Sequence, residues 1–352
     1  MTDSGLTPAN DVYQPVFDHL DRLTDDRGLF EHAFHAVPRR EHGYCVDDVA
    51  RGLVVVCHEP EPGPAVRRLA RRYLAFVLDA LDPTGACHNR MAVDGRWCDE
   101  AAVGDWWGRA LWGLGAAAAS AQTRGMRARA LAGFRIAAQS RSPHVRSMAF
   151  AALGAAELLR QRPDEVAARL LLTDTLAVIG VGESGDPRWP WPEERLSYGN
   201  ASIAEALIVA GDVLPDGPAL SRGLSLLEFL LRTETRDGHL SVTPAGGRGR
   251  HDVRPGFDQQ PIEVSALADA CGSAFRVTRQ SSWLTGVGLA WDWFLGDNDS
   301  ATPMYDPRTG GGFDGLERQG RNLNQGAEST LAMLATAQQA RRLSEPWVSE
   351  QE

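Results

Sequence analysis

Apolar residues recur along most of the chain with the 3.6-residue spacing of helices that bury one face. The pattern predicts about twelve helices, each bounded by Gly, Pro, Asp or Ser. Their ranges are 11–24, 45–58, 64–81, 105–121, 124–139, 143–160, 163–179, 200–213, 217–233, 260–277, 281–296 and 325–342. No convincing strand is present, although short pieces near 239–243 could pair locally. The chain is therefore predicted to be all-α.

The connections between these helices alternate in length. Breaks of a few residues join the predicted helices two by two, and a short connection makes the two helices antiparallel neighbours in a hairpin. Longer links at 82–104, 180–199, 234–259 and 297–324 carry Gly, Pro, Trp and charge, as functional loops often do. A single helix remains at each end, and these two can pair to close a ring of six hairpins. We therefore predict an (α/α)6 barrel, with residues 1–352 as one domain whose N-terminal helix closes the ring against the C-terminal helix.

The first helix of each hairpin opens with an unusual polar cluster, whereas the second helix begins with ordinary residues. The clusters fall at 43–51, 104–109, 142–146, 189–205, 257–263 and 322–328. If the first helices line the inside of the ring, all six clusters meet at one mouth. Six helix N-termini would also point there, which favours oxygen-rich or anionic ligands.

Helix capping offers an alternative explanation for several of these residues. Asp105 and Asn200 are good N-cap residues, and Glu263 stands at a capping position behind Pro261. The adjacent acids Asp47 and Asp48 cannot both be caps, so a functional role is favoured for them. A lone histidine such as His144 is more often structural.

Read as a carbohydrate site, the clusters provide acids, amides, arginines and flat aromatic rings. Paired carboxylates suit general acid–base chemistry, and indole rings can stack on sugar faces. The catalytic candidates are Asp105 and Glu263, with Asp48 and Glu328 in reserve. The substrate-binding candidates are Asp47, Arg51, Trp106, Trp107, Arg109, His144, Trp189, Trp191, Glu194, Tyr198, Asn200, Asp258, Gln260, Asp314, Asn324 and Gln325.

Composition narrows the classes of function. The formal net charge is −10 and no basic stripe is visible, which argues against nucleic-acid binding. The longest apolar stretch is too short to span a bilayer, and the first 30 residues show no signal pattern. Five cysteines without CxxC spacing predict free thiols and a cytoplasmic protein. No spacing predicts a metal site, and Gly310–Gly312 lacks the flanking strand and lysine of a phosphate loop, so no cofactor is expected.

Several segments together resemble the six-hairpin glycosidase superfamily, which includes the N-acylglucosamine 2-epimerase-like proteins. They are GYCVDDVARGL, GDWWGRALWGLG, WPWPEERLSYGNASIAEAL, FDQQPIEVSALADA and GGGFDGLERQGRNLNQGAESTLAML. They also look like a glycosyl-hydrolase-like group sometimes labelled glycosyltransferase. The resemblance covers nearly the whole chain and implies the same barrel fold and a carbohydrate substrate.

The resemblance does not select one reaction, because this superfamily contains hydrolases, lyases, phosphorylases and epimerases. Our first hypothesis is a glycoside hydrolase that uses a pair of carboxylates on an oligosaccharide. Asp105 and Glu263 belong to the second and fifth inner helices, which lie opposite one another in a six-membered ring. An epimerase, phosphorylase or lyase is the alternative within enzymes. A non-catalytic glycan-binding protein is the alternative outside them.

Overall fold

The computed structural model describes residues 14–180, 186, 188–252 and 255–344. Twelve α-helices lie within these residues. They are α1 (Asp18–Arg22), α2 (Val46–Cys57), α3 (Pro64–Asp79), α4 (Asp105–Ser120), α5 (Arg124–Ala137), α6 (Val145–Gln161), α7 (Val166–Ile179), α8 (Asn200–Val213), α9 (Gly217–Glu234), α10 (Pro261–Thr278), α11 (Ser282–Leu295) and α12 (Ala327–Ser344).

Eleven of these helices match the predicted ranges to within a few residues, but the first is much shorter than 11–24. Residues 11–13 lie outside the described residues, and residues 14–17 are not helical. Pro15 has no N–H to donate, and the helix begins only three residues after it.

Six helices form the inner wall of a closed ring. The helices α2, α4, α6, α8, α10 and α12 contact one another in that order, and α12 returns to contact α2. The helices α3, α5, α7, α9 and α11 each pack outside the inner helix that precedes them. The fold is therefore the predicted (α/α)6 barrel.

Burial of the inner helices on all sides explains their composition. In α8, every residue from Asn200 to Gly211 is buried, as expected of a helix that is apolar around its whole circumference. Small residues let neighbouring inner helices approach closely. A Cβ added at Gly154 would overlap the backbone carbonyl of Leu111, and one added at Gly115 would overlap that of Gly154. These glycines therefore set the packing distance between α4 and α6.

The short helix α1 lies against α12. His19 on α1 is fully buried, and its Nε2 donates to the backbone oxygen of Gln325 at 2.8 Å. Burial lowers the pKa of His19, which keeps the ring neutral. Near the other end of α12, Arg341 donates to the Gln14 side chain at 3.3 Å.

Short antiparallel strand pairs occupy the loops between hairpins. The strands are β1 (Ala33–Phe34), β2 (Val37–Pro38), β3 (Tyr44–Cys45), β4 (Arg90–Met91), β5 (Arg195–Leu196), β6 (Thr235–Arg236), β7 (His239–Leu240), β8 (Arg248–Gly249), β9 (Tyr305–Asp306), β10 (Gly311–Gly312), β11 (Leu316–Glu317) and β12 (Gly320–Arg321). They pair as β1–β2, β3–β4, β5–β8, β6–β7, β9–β10 and β11–β12. The piece near 239–243 does pair locally, as β7 with β6.

All five cysteines are unpaired, and four of them are buried. Among the described helices, none has the length and apolar character needed to cross a bilayer.

The close contact between α4 and α6 generates a stability prediction. Gly154→Ala should lower the free energy of unfolding by about 1–3 kcal/mol, because the added methyl group forces the two helices apart. Urea denaturation monitored by circular dichroism measures the change.

Gly125→Ala in the outer helix α5 is the matched control, since nothing lies within 4 Å of a Cβ at that position. This control should be neutral or slightly stabilising, because alanine favours helix. Equal stability of the two variants would contradict the close packing of α4 and α6.

Candidate functional site

Side chains link the N-terminal ends of successive inner helices. Asp47 on α2 lies 2.7 Å from Arg109 Nε on α4, and Asp105 on α4 accepts from Ser147 Oγ on α6 at 2.6 Å. Arg146 on α6 contacts Asn200 on α8, and Asn200 contacts Glu263 on α10. Glu328 on α12 contacts Arg51 on α2. These polar ends therefore lie together at one end of the barrel.

A pocket of about 350 Å³ opens at this end, and we call it the mouth pocket. Its size falls within the range of small-molecule sites. The first turns of α2, α4 and α12, the residue before α10, and nearby loops line it. The lining residues are Glu31, His32, Cys45, Asp47, Asp48, Arg51, Asn89, Arg90, Asp105, Trp106, Gln260, Asp314, Gly326, Glu328 and Ser329.

Arg51 is the central cation of the mouth pocket. Its guanidinium contacts Asp48 at 2.5 Å, Glu328 at 3.0 Å and Asp47 at 3.3 Å. Asp47 also forms the 2.7 Å ion pair with Arg109, whose guanidinium stacks on the Phe150 ring. Two cations therefore face three carboxylates, which leaves one negative charge in excess.

The most buried of the three carboxyls, Asp48, is the one best placed to hold a proton. Only 3% of this residue is exposed. Burial raises the pKa of Asp48 to about 8, although Arg51 opposes the shift. The nearby carboxylates Asp47 and Glu328 raise it further. The raised pKa favours the protonated form of Asp48 in the pocket wall.

Asp105 has a different environment. The residue is half-buried, and its two oxygens accept hydrogen bonds from Ser147 Oγ at 2.6 Å and from Tyr198 OH at 2.7 Å. Tyr198 is 47% exposed, and the Arg146 guanidinium lies over its ring. Two hydroxyl donors thus fix the orientation of Asp105 as a hydrogen-bond acceptor at the rim.

Glu263, predicted to be catalytic, does not line the mouth pocket. Its carboxylate accepts from the backbone N–H of Gly199 at 2.5 Å and from Asn200 Nδ2 at 3.1 Å. Burial raises the pKa of Glu263 to about 8, although the backbone N–H groups of Gly199 and Asn200 oppose the shift. Both oxygens serve the beginning of α8, so this position fits capping better than catalysis. Asn200 is likewise buried in that contact.

The tryptophans divide between pocket and core. Trp106 is partly buried and lines the mouth pocket, where its indole N–H donates to the Cys87 carbonyl at 2.7 Å. Trp107 is fully buried against the Gly85 and Ala137 carbonyls. Trp189 and Trp191 are also buried, at 6% and 2% exposure. Trp107 and Trp191 are therefore core residues, whereas Trp189 lines a separate cavity of about 530 Å³ outside the mouth pocket.

The remaining candidates fall into three groups. Gln260 and Asp314 line the mouth pocket, and Asp314 accepts from the backbone N–H of Gly326 and from Ser329 Oγ at the start of α12. Asn324 and Gln325 form structural hydrogen bonds. The Asn324 side chain accepts from the backbone N–H of His35, and the Gln325 side chain accepts from Thr309 Oγ1. The exposed side chains away from the pocket lining are His144, Glu194 and Asp258.

Sequence patterns missed several residues of the site. Glu31 pairs with Arg90, and Asn89 accepts from Cys45 Sγ and from the backbone N–H of Asp47. Glu31 and Asn89 lie in loops and Arg90 lies in strand β4, where no helical period marks them. Glu193, next to the predicted Glu194, forms a two-pronged pair with Arg146 at 2.7 and 2.8 Å.

Two groups of side chains in the described part of the chain bring possible metal-ligating atoms within 4.8 Å of one another. They are Glu31, Cys45 and Asp48, and Asp47, Asp48 and Glu328. The Arg51 guanidinium contacts every carboxylate of the second group, so the protein already supplies the cation there.

Comparison with solved structures reveals similar folds. A sugar epimerase from a ruminal bacterium aligns with a TM-score of 0.70 at 13% identity, covering 94% of this chain and 97% of that one. Cellobiose 2-epimerase from Spirochaeta thermophila gives 0.66 at 14% identity, covering 95% and 96%. An α-mannanase from Bacteroides thetaiotaomicron gives 0.63 at 10% identity, covering 92% and 94%.

Neither a protein-family profile nor a curated protein sequence matches the chain. At 10–14% identity, the similarity to these three structures is one of fold. The fold predicted from the sequence is confirmed: the chain shares the (α/α)6 fold of these structures.

Proposed function

We propose that the protein is a glycoside hydrolase for neutral oligosaccharides, with Asp48 as general acid and Asp105 as general base. One observation carries the proposal: a buried carboxyl with a raised pKa and a carboxyl that accepts two hydroxyl hydrogen bonds line the same pocket. Glycoside hydrolysis needs this pair, one acid to protonate the leaving oxygen and one base to activate water. Carboxyl groups whose environments differ in this way indicate their separate roles.

The charge of the mouth pocket supports a neutral substrate. Six carboxylates line it, against two guanidinium groups and one imidazole. The helix N-termini that could attract an anion already face the protein's own acids, such as Asp314 at α12. A phosphate or uronate group would therefore meet like charge. This argues against phosphorolysis and differs from the anion preference that the sequence alone suggested.

The remaining lining suits the hydroxyl groups and faces of a sugar ring. Trp106 offers a partly buried indole whose orientation is fixed by its bond to the Cys87 carbonyl. Gln260 and Asn89 offer amides, and Glu328, whose side chain is 42% exposed, offers a carboxylate oxygen. With water activated by Asp105, the product anomer is inverted relative to the substrate.

Amide substitutions test the two proposed catalytic groups. Asp48→Asn and Asp105→Asn should each keep the fold and lower kcat by about 10²–10⁴-fold, because each removes a proton donor or acceptor while preserving shape. Assays against a panel of neutral oligosaccharides, with product anomers followed by NMR, measure the effect.

Glu194→Gln is the control, since Glu194 is exposed and away from the pocket lining. It should leave kcat unchanged. Full activity of both aspartate variants on a substrate that the wild type cleaves would refute the assignment.

The pKa of Asp48 generates a pH prediction. A general acid works only while protonated, so the alkaline limb of kcat/KM should be centred near pH 8, with activity falling as the pH rises through that value. Glu328→Gln removes a negative neighbour and leaves Arg51 with one carboxylate fewer, and both changes favour ionised Asp48. The alkaline limb should therefore move to lower pH in this variant, and a limb that stays fixed or moves upward would disprove the role of Asp48.

Sugar epimerisation is the second candidate, and two observations favour it. Two of the similar folds are sugar epimerases, and the mouth pocket includes the imidazole of His32 beside its carboxylates. Incubation of reducing disaccharides in D₂O separates the reactions. Hydrolysis yields smaller sugars, whereas 2-epimerisation yields an isomer with deuterium at C2. Sugar binding without either product would support a glycan-binding protein instead.

A further inference from the structure

The barrel has a second polar cavity, formed by the later turns of the inner helices. It measures about 170 Å³, and we call it the lower chamber. In the part of the chain that the structure describes, no residue lines both the lower chamber and the mouth pocket. A narrow space of about 50 Å³, with apolar walls at Val54, Val55 and Leu331, lies between them along the barrel. The chamber reaches solvent at the exposed residues Ser120, Gln161 and Arg342.

The lining of the lower chamber is balanced in charge. Three carboxylates and three guanidinium groups line it: Glu157, Glu205, Asp269, Arg160, Arg276 and Arg342. Several already have partners within the protein. Glu157 accepts from the Trp112 indole at 3.0 Å and contacts His58 at 2.9 Å, and Asp269 accepts from the Gln339 amide at 2.6 Å.

Glu205 is the exception in this network. The residue is only 7% exposed, and its Oε1 accepts from Ser273 Oγ at 2.7 Å. Its Oε2 is buried and has no hydrogen-bond partner among the described residues. A buried polar atom left unsatisfied costs about 1–3 kcal/mol, and more when charged, so such atoms usually have a bound partner. Burial and the neighbouring Asp269 raise the pKa of Glu205. A ligand hydroxyl can pair with either state, donating to the carboxylate or accepting from the acid.

We propose that the lower chamber is a second binding site for a small neutral polyhydroxyl compound, anchored by Glu205 Oε2. The chamber has room for about five or six water molecules at ~30 Å³ each, the space of a compound up to the size of a monosaccharide. The Trp112 ring, the Gln339 amide and the guanidinium groups provide the mixed polar and aromatic wall of such a site.

Charged ligands fit the chamber less well. An anion would meet three carboxylates, and a cation would meet three guanidinium groups. Among the described residues, both groups able to gather ligand atoms for a metal lie at the mouth pocket, not here. A neutral ligand adds no charge to this mixed lining and supplies the missing hydrogen bond.

Binding measurements with erythritol, D-glucose and myo-inositol on the full chain test the proposal. Glu205→Leu removes the anchor and should weaken binding of at least one probe by about tenfold or more, as measured by calorimetry or ligand-detected NMR. Glu205→Gln retains hydrogen-bonding capacity and should bind more tightly than Glu205→Leu. Should the leucine variant fail to fold, Glu205→Met, which keeps the length of the side chain and removes both oxygens, takes its place and should show the same loss.

Asp105→Asn is the control that separates the two sites, because it alters only the mouth pocket. It should leave probe binding in the lower chamber unchanged, whatever its effect on turnover. Crystals soaked with the tightest probe should show a hydroxyl within hydrogen-bond distance of Glu205 Oε2. Three outcomes would each overturn the proposal. Binding could be lost in Asp105→Asn but intact in Glu205→Leu, or the chamber could hold only water at a saturating concentration of the probe. The third such outcome is that no probe binds at all. None of these outcomes bears on hydrolysis, which the catalytic variants test separately.

Discussion

Closure of the inner ring is the constraint on which the rest of the molecule depends. Six helices that bury every side can meet only if small residues allow close approach, as Gly115 and Gly154 do between α4 and α6. Closure also brings six helix N-termini to one end, where their free N–H groups need acceptors. Acids and amides meet that need, among them Glu263 at α8 and Asp314 at α12. Some of the polar character of the mouth is thus structural, and only part of it is free for chemistry.

The proposed acid–base chemistry depends on an excess of acidic side chains over guanidinium groups around Arg51. This guanidinium contacts Asp47, Asp48 and Glu328, and Arg109 offsets only one of the three acids. A buried site tolerates excess charge poorly, so the most enclosed carboxyl takes up a proton. In the proposed reaction, this arrangement supplies the acid, and Asp105 on the neighbouring helix α4 is the base. The reaction class is proposed from this imbalance, whereas the similar folds include both hydrolases and epimerases.

Sequence analysis predicted the fold well because helical periodicity and alternating loop lengths are local features. It predicted the site less well, because the periodicity does not say which polar side chain serves a helix end. Trp106 and Trp107 show the difficulty: adjacent residues on a helix point about 100° apart, so one ring faces the pocket and the other the core. Trp189 and Trp191 lie in a loop whose path the pattern could not reveal. Glu31 and Asn89 reach the pocket from distant loops, which no helical pattern marks.

Titration of the Asp48 carboxyl tests the central claim most directly. Carboxyl ¹³C NMR of aspartate-labelled protein, with the signal assigned by its loss in Asp48→Asn, reports the protonation of this group without any substrate. We expect an apparent pKa of about 8, because burial and excess negative charge outweigh Arg51. A value near the ordinary aspartate pKa of about 4 would show that Arg51 keeps Asp48 ionised and would contradict its role as the acid.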